Sequence, residues 1–398
     1  MTLKEELEIL RGESIGIRMG NAMDIPSIET SDAEKLCKHP VVSVHMLAYN
    51  HEPYIRQAID GVMMQKTDFE FELVIGEDCS KDKTREICFE YQKKYPDKIR
   101  VLWWHENLGK VRHPAGSNID RTSAHCRGEF IAFCEGDDYW IDPLKLQKQV
   151  DIMRANPSVG LCFCGAKLYF QQSGNYKNWE CDAFHGGIIA GRLFMLYTIF
   201  GANPKKTRGP EGFVMTAGLL VRASVFTQAI HDFEVFNFRL PVADTTIVLG
   251  CGAISDVYYL VDQVSVYRIT QTGAMATNGT RVMLDSTLIR IYFARKVLQY
   301  KYIEMPVKFI QEYFGKFFKS VMGKPRIDKS EAFLRLTRIR DIKGWLLSTR
   351  FSPMFICGLM GFVNSLTQRV VFKWCSLFKA SKLSKKLVRD YMELGAEI

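Results

Sequence analysis

The feature that most constrains this chain is a short apolar run, Phe130–Phe133, that leads through Cys-Glu-Gly into two adjacent carboxylates, Asp137 and Asp138. A short apolar run bounded by glycine is typical of a buried strand in a parallel sheet. Aspartate is a poor strand residue, so the pair belongs in a loop at the strand's end. Ligands bind at that edge of open α/β sheets, and paired hard oxygen ligands suit Mg²⁺ or Mn²⁺. An isolated Asp-Asp pair is more often a solvated turn or a helix cap, so the interpretation depends on its neighbours.

Apolar strands and helical segments alternate in the first part of the chain, which predicts βαβ units around a mostly parallel sheet. The predicted strands are 41–47, 71–76, 99–103 and 130–134, and the predicted helices are 53–65 (with Asn50 as N-cap), 82–95, 115–127 and 143–155. Polar residues follow each of these strands. They are Tyr49, Asn50, Glu77, Asp78, Asn107, Asp137 and Asp138. Because parallel strands share a direction, we expect these side chains to gather at one edge of the sheet.

The later part of the chain is less regular. It predicts strands at 159–164, 218–221, 257–261 and 264–268, an irregular region over 173–210, a helix at 244–254 and helical periodicity from 283 onward. We therefore expect an N-terminal extension (1–39), an α/β domain (40–275) and a helical, basic C-terminal region (276–398).

Composition favours an intracellular globular protein. Hydrophobic residues make up 47% and charged residues 24% of the 398 positions, as in ordinary globular domains. No uncharged apolar stretch reaches the roughly 18 residues of a membrane span, and the acidic N-terminus does not resemble a secretory signal. The eleven cysteines have no framework spacing, which predicts free thiols and a cytoplasmic location.

The basic character of the chain belongs to its C-terminal region. The net charge is +9, yet residues 301–398 alone contain 19 Lys or Arg and 8 Asp or Glu. Aromatic residues and an uncharged run at 353–363 accompany these cations, which is typical of helices that lie on an anionic membrane surface. A helical subdomain packed on the core, or an oligomer contact, is the alternative. The apolar runs beside the cations argue against a nucleic-acid groove.

The ordered motifs resemble glycosyltransferase family 2, the inverting GT-A enzymes that use nucleotide sugars. The matching segments are Val44–Asn50, Glu72–Ser80 with Asp82 and Thr84, Glu106–Gly109, Glu135–Trp140 and Asp142–Gln147. The resemblance covers about residues 41–270. It implies a Rossmann-like nucleotide-sugar domain with the GT-A fold.

The resemblance also implies roles for particular residues. Asp78 would accept a hydrogen bond from the nucleotide base, Asp137 would contact the ribose or the metal, and Asp138 would bind the Mg²⁺ or Mn²⁺ that bridges the diphosphate. The donor site would further include Ala48, Tyr49, Asn50, Glu52, Asn107 and Lys110. Asp78 could instead cap the following helix, and Lys110 could be a solvated surface charge. His45 is expected to be a core or pocket residue rather than a metal ligand.

Inversion requires a general base that takes the acceptor's proton. By resemblance that base is Asp244, with Asp232 and Glu234 as weaker candidates. An N-cap of helix 245–254 is the alternative for Asp244, and both roles can coexist. Tyr267-Arg268 resembles the closing segment of the family, but Thr270 stands where many relatives have a histidine, so a third protein ligand is not expected.

The predicted activity is transfer of a sugar, with a UDP-sugar as the expected donor, to a hydroxyl of a glycan or lipid-linked glycan. Two alternatives are a sugar-nucleotide nucleotidyltransferase and a non-catalytic nucleotide-sugar-binding module. A nucleotidyltransferase is expected to have a Gly-rich phosphate loop after the first strand, whereas this chain has Ala48–His51 there. The retained carboxylates argue against a module without catalysis.

Overall fold

The computed structural model describes residues 27–108, 118–179, 181, 184–200, 214–233 and 243–271, with positions 289, 290, 293 and 297. The described helices and strands lie in the first of two compact units of the chain, which runs to Thr277 and includes Ile289–Phe293. Apart from positions 289, 290, 293 and 297, the predicted helical C-terminal region lies outside the described residues. None of the described helices is long and apolar enough to cross a bilayer.

Strands and helices alternate as the sequence predicts. The strands are β1 (Ile28–Thr30), β2 (Val42–Ala48), β3 (Phe71–Glu77), β4 (Ile99–Trp103), β5 (Phe130–Phe133), β6 (Tyr139–Trp140), β7 (Val159–Phe170), β8 (Asn175–Trp179), β9 (Gly187–Ile189), β10 (Leu220–Arg222) and β11 (Asp256–Ile269). The helices are α1 (Ile55–Met63), α2 (Thr84–Lys94), α3 (Asn118–Ala124), α4 (Lys145–Ala155), α5 (Gly191–Phe200), α6 (Ala223–Phe233) and α7 (Ala243–Ile254). A short 3₁₀ turn, Thr216–Gly218, precedes β10.

These strands form one sheet within the described part of the chain, in the order β1-β4-β3-β2-β5-β10-β7-β11-β6, with β8 beside β7 and β9 beside β11. β4, β3, β2 and β5 are parallel to one another. β10 is antiparallel to both β5 and β7, and β7 is parallel to β11. The carboxyl ends of β2, β3, β4, β5, β7 and β11 therefore lie on one edge, which confirms the predicted α/β class.

Burial explains why the apolar runs become central strands. Every residue of β3 and β5 is buried, as expected for strands covered on both faces. The alternate residues Val42, Val44 and Met46 of β2 pack in the main core with the apolar side of α1. This packing leaves polar residues to collect in the loops at the carboxyl edge.

One expectation about the later part of the chain was wrong. The predicted strands 257–261 and 264–268 are one strand, β11, whose pairing with β7 shifts register between Leu260 and Ser265. Such irregularities bend a strand without ending it. The region 173–210, expected to be partly irregular, contains β8, β9 and α5 in its described part. β8 is exposed along most of its length, so its sequence lacks the apolar alternation that identifies strands.

Candidate active site

The loop after β2 is joined to the loop after β3. Asn50 has a left-handed backbone (φ 54°), and its side-chain oxygen accepts a hydrogen bond from the Lys81 main-chain N (2.8 Å). The main-chain N of Glu52 donates to Asp82 Oδ2 (3.1 Å), and Glu52 Oε2 accepts from the main-chain N of Lys83 (3.1 Å). Asn50 is therefore not the N-cap of α1, as the sequence predicts, because Tyr54 occupies that position.

Asp78 is buried at the end of β3, with 6% of its surface exposed. Its Oδ1 accepts a hydrogen bond from the main-chain N of Leu108 (2.7 Å), and its Oδ2 accepts one from Asn107 Nδ2 (3.1 Å). Its own main-chain N donates to the carbonyl of Ala48 (2.9 Å). Asp78 does not cap α2, whose N-cap is Lys83. The structure thus brings Ala48, Asp78 and Asn107 together across three adjacent strands.

The turn after β5 packs tightly against the loop after β2. The main-chain N of Gly136 donates to the carbonyl of Leu47 (2.9 Å), and that of Asp138 donates to the carbonyl of Glu135 (3.1 Å). A Cβ at position 136 would lie 2.7 Å from His51 Nδ1 and 2.9 Å from Leu47 O. Glycine is required there because a side chain has no room. The lack of a side chain at position 136 lets the Asp137–Asp138 turn approach β2.

Neighbouring carboxylates raise the pKa values of titratable groups at this turn. Burial, followed by Asp137 and Asp244, raises the pKa of Glu135 to about 8. Burial, followed by Asp137, also raises the pKa of Asp138 well above its ordinary value. Burial and these four carboxylates together raise the pKa of Tyr267 on β11. The side chains of Glu135, Asp137, Asp138 and Asp244 therefore share one electrostatic environment around Tyr267.

Asp244 lies in the first turn of α7. Its Oδ1 accepts a hydrogen bond from the main-chain N of Thr245 (2.7 Å), so it does interact with the start of the helix. Burial raises its pKa, although Thr245 and Arg290 oppose the shift. Asp244 is not the N-cap that the sequence offered as an alternative, because α7 begins one residue earlier, at Ala243. Its charge also acts on Glu135 in the carboxylate turn.

Sequence reasoning assigned no role to His51 or Arg268. His51 Nε2 lies 4.0 Å from Asp137 Oδ2, and burial lowers the pKa of His51 despite the nearby Asp137 and Asp82. The main-chain N of Arg268 donates to Asp138 Oδ1 (2.8 Å), and its Nε donates to the carbonyl of Asp137 (2.7 Å). The Tyr-Arg pair was visible in the sequence, but its contact with a turn 130 positions away was not.

The donor set fits a divalent cation of the kind that the resemblance implies. Asp137 and Asp138 supply hard carboxylate oxygens, and their mutual repulsion in a buried place is what a cation would relieve. Within the residues that the structure describes, no cluster of three or more His, Cys, Asp or Glu is arranged to hold a metal ion. Two carboxylates are nevertheless enough for Mg²⁺, which takes its remaining ligands from phosphate and water.

The other predicted site residues lie apart from this cluster or outside the description. Tyr49 is partly exposed at the end of β2, and Thr270 is buried after β11. His45 is fully buried with its ring 5.3 Å from that of Phe133, as expected for a core residue. Asp232 pairs with His231 on the exposed side of α6. Lys110 and Glu234 lie outside the described residues.

The described cysteines are free thiols, as predicted, and most of them are buried. They are Cys37, Cys79, Cys88, Cys126, Cys134, Cys162, Cys164, Cys181 and Cys251.

Known proteins that resemble this chain include glycosyltransferases, by family model and by name. Residues 43–226 match the family model "Glycosyl transferase family 2". An uncharacterized glycosyltransferase of Nostoc is 33% identical over 321 residues, which cover 75% of this chain and 93% of the relative. The human dolichyl-phosphate beta-glucosyltransferase is 29% identical over 244 residues, or 57% of this chain and 71% of that enzyme.

A shorter match covers a smaller share of the chain. An uncharacterized protein of Mycobacterium tuberculosis is 38% identical over 154 residues, which span 37% of this chain and only 43% of that relative.

Proposed function

The chain belongs to glycosyl transferase family 2, and from this premise we propose that it is an inverting, metal-dependent transferase. It would move a sugar from a nucleotide diphosphate sugar, with UDP as the nucleotide, to a hydroxyl of a glycan or lipid-linked glycan. The observation that carries the proposal is that Asp78 and the Asp137–Asp138 turn are held at the carboxyl edge of one sheet, where the charge of Asp244 also acts. A candidate base and a candidate diphosphate site must be adjacent for one transfer reaction to use both.

The donor would lie along the carboxyl edge from β4 to β5. Asp78 would receive the base, because an ionised carboxylate is an acceptor of hydrogen bonds and suits an imide N–H, and the bonds from Leu108 and Asn107 fix its orientation. Ala48, Tyr49 and Asn107 would line the nucleoside site. Asn50 and Glu52 would fix the loop that borders the nucleoside site, because their side chains bind the loop after β3. Lys110 would approach the diphosphate.

Asp137 and Asp138 would hold the cation. When bound, it supplies Lewis-acid stabilisation of the departing diphosphate. Burial of Asp138, with 2% of its surface exposed, keeps water from competing for its carboxylate. Asp137 is more exposed and could also reach the ribose.

Asp244 would take the proton of the acceptor hydroxyl as that oxygen attacks the sugar carbon from the side opposite the diphosphate. A carboxylate with a raised pKa is a stronger base, and burial raises the pKa of Asp244. The main-chain N–H of Thr245 fixes one carboxylate oxygen, which would direct the other one. General-base assistance of this kind is worth about 10²- to 10⁴-fold in rate.

A lipid-linked acceptor has separate support. The human relative is named for a lipid phosphate, dolichyl phosphate, and residues 301–398 of this chain are strongly basic. We propose that the C-terminal region binds the anionic inner face of the cell membrane. Cosedimentation of the full chain with anionic and neutral vesicles tests this. Binding to anionic vesicles that weakens with salt is expected, and equal recovery in the supernatant with both would contradict it.

The activity is tested by incubating the protein with a panel of UDP-, GDP- and dTDP-sugars, with Mn²⁺, Mg²⁺ or EDTA, and a lipid-linked glycan that offers free sugar hydroxyls. Release of the nucleoside diphosphate with inversion at the sugar carbon is expected for one donor. A sugar-nucleotide nucleotidyltransferase would release no nucleoside diphosphate; with added pyrophosphate it would instead convert the sugar nucleotide to a nucleoside triphosphate and a sugar 1-phosphate. A non-catalytic module would bind a nucleotide sugar without turnover in any mixture.

A further inference from the structure

Arg268 binds the carboxylate turn at two points. Its Nε donates to the carbonyl oxygen of Asp137 (2.7 Å). Its main-chain N donates to Asp138 Oδ1 (2.8 Å). The two bonds join the carboxyl end of β11 to the turn after β5, although the strands are not neighbours in the sheet. The conformation of the turn therefore depends on where Arg268 is held.

The rest of the guanidinium is held by two glutamines. Its Nη1 donates to Gln171 Oε1 (2.8 Å), just beyond β7, and its Nη2 donates to Gln57 Oε1 (2.6 Å) on α1. Each nitrogen of the fork therefore has its own acceptor, from a different element of the fold. A planar fork with fixed directions makes such an arrangement possible for arginine and not for lysine.

Three tyrosine rings enclose the same group. The guanidinium carbon lies 4.8 Å from the ring centre of Tyr54, 5.1 Å from that of Tyr139 and 5.5 Å from that of Tyr169. Cation–π contacts of this length stabilise a desolvated cation. Arg268 is accordingly 7% exposed, and its position is fixed by α1, β6 and β7 together.

We propose that Arg268 is a positioning residue that sets the orientation of the Asp137 and Asp138 carboxylates toward a divalent cation and the donor diphosphate. The inference rests on the proposed function. Arg268 itself does not touch the donor in this proposal: it acts by fixing the turn, and its permanent positive charge offsets part of the repulsion among the carboxylates. Losing such supporting bonds typically weakens metal affinity by about 10- to 100-fold.

The test compares Arg268→Lys with a matched control, Arg222→Lys. Arg222 is also a part-buried arginine with carbonyl acceptors, Met153 O (2.9 Å) and Val159 O (3.5 Å), and its guanidinium lies 5.1 Å from the ring centre of Phe130. It pairs with Phe130 at the start of β5, at the opposite edge of the sheet from the turn. Both variants keep the positive charge and lose the planar guanidinium group with its several N–H donors.

Calorimetric titration of UDP in saturating Mn²⁺ is measured for the wild type and both variants, together with the EPR spectrum of the bound Mn²⁺. Arg268→Lys is expected to weaken UDP binding by about 10- to 100-fold and to change the EPR spectrum. Arg222→Lys is expected to lower the melting temperature without either effect. If Arg268→Lys lowers only the melting temperature, its role is structural and the inference is overturned.

Failure of the proposed function can be distinguished from failure of the inference about Arg268. If the proposed function is wrong, the wild type itself binds no UDP in the presence of Mn²⁺. If Arg268→Lys does not fold, the same UDP titration of the double variant Gln57→Ala/Gln171→Ala tests the inference. Both glutamines are exposed, and their removal leaves the arginine in place with two fewer acceptors. A loss of about three- to tenfold in UDP affinity supports the inference, and unchanged affinity overturns it.

Discussion

Asp244 lies close enough to Glu135 to repel its carboxylate, although the two are far apart in the sequence: burial, Asp137 and then Asp244 together raise the pKa of Glu135 to about 8. The charge at the start of α7 therefore acts on the turn after β5. In the proposed mechanism, Asp244 would be the base and the turn would supply the metal ligands.

Asp244→Asn is expected to lower the rate of transfer by about 10²- to 10⁴-fold while leaving UDP affinity within about twofold, because an amide cannot accept the proton. Turnover and calorimetric UDP binding are the measurements. Asp232→Asn is the control, since Asp232 pairs with His231 on an exposed helix surface. Equal loss of binding and turnover in Asp244→Asn would assign Asp244 a structural role.

Asp138→Asn is expected to abolish stimulation by Mn²⁺ and, without metal, to melt at the same or a higher temperature than the wild type. Burial and Asp137 raise the pKa of Asp138, so a neutral group of the same shape removes a repulsive charge. Its oxygen can still accept the bond from the main-chain N of Arg268. Thermal melts with and without Mn²⁺ measure both effects. Undiminished Mn²⁺ stabilisation in the variant would remove Asp138 from the metal site.

Asp78→Ala is expected to weaken UDP binding and to lower the free energy of unfolding by about 1–3 kcal/mol, because the buried main-chain N of Leu108 loses its acceptor. Ribose 5-phosphate, which lacks the base, should bind both proteins equally if Asp78 acts on the base alone. Denaturant melts and competition titrations measure the two quantities. Unchanged UDP affinity in a folded Asp78→Ala protein would argue against the base-binding role.

Lys145 gives a pH-dependent prediction for stability. It is fully buried with Nζ 2.8 Å from Gln149 Oε1, and burial lowers its pKa to about 8. Between about pH 8 and 10.4 the unfolded chain therefore binds more protons at this residue than the folded one, and its contribution to stability rises with pH. Below pH 8 the unfavourable contribution is constant.

The comparison with Lys145→Met isolates this effect from other groups that titrate in the same range. From pH 7 to about pH 10 the wild type should gain roughly 2–3 kcal/mol relative to the variant. Denaturant melts at both pH values measure the difference. A pH-independent difference would mean that Lys145 titrates normally.

The sequence predicted that polar side chains gather at one edge of the sheet, because local patterns are enough for that. Apolar strands that end in polar residues must place those residues at one edge of a parallel sheet, and Asp78 and Asp138 lie there. Asp244 was found by resemblance, since no local pattern connects the start of α7 with the turn after β5.

Contacts across the fold could not be predicted in the same way. Asn50 was expected to cap α1, but its side chain binds Lys81 instead, because the loops after β2 and β3 meet only in the folded sheet. The groups that hold Arg268 come from α1, the turn after β5, β6 and β7. No spacing in the sequence indicates that these elements meet. Exposed β8 lacks an apolar pattern and was missed for that reason.

The most direct test of the central claim is a thermal-shift measurement of the full chain with UDP, Mn²⁺ or both, repeated for Asp138→Asn. A ligand that binds the folded state alone raises the melting temperature, and at a fixed concentration the rise grows with the logarithm of its affinity. We predict that UDP stabilises the wild type strongly only when Mn²⁺ is present, and that Asp138→Asn loses this dependence. Identical shifts in the two proteins, or no response to UDP with Mn²⁺, would contradict a metal-dependent donor site at the carboxylate turn.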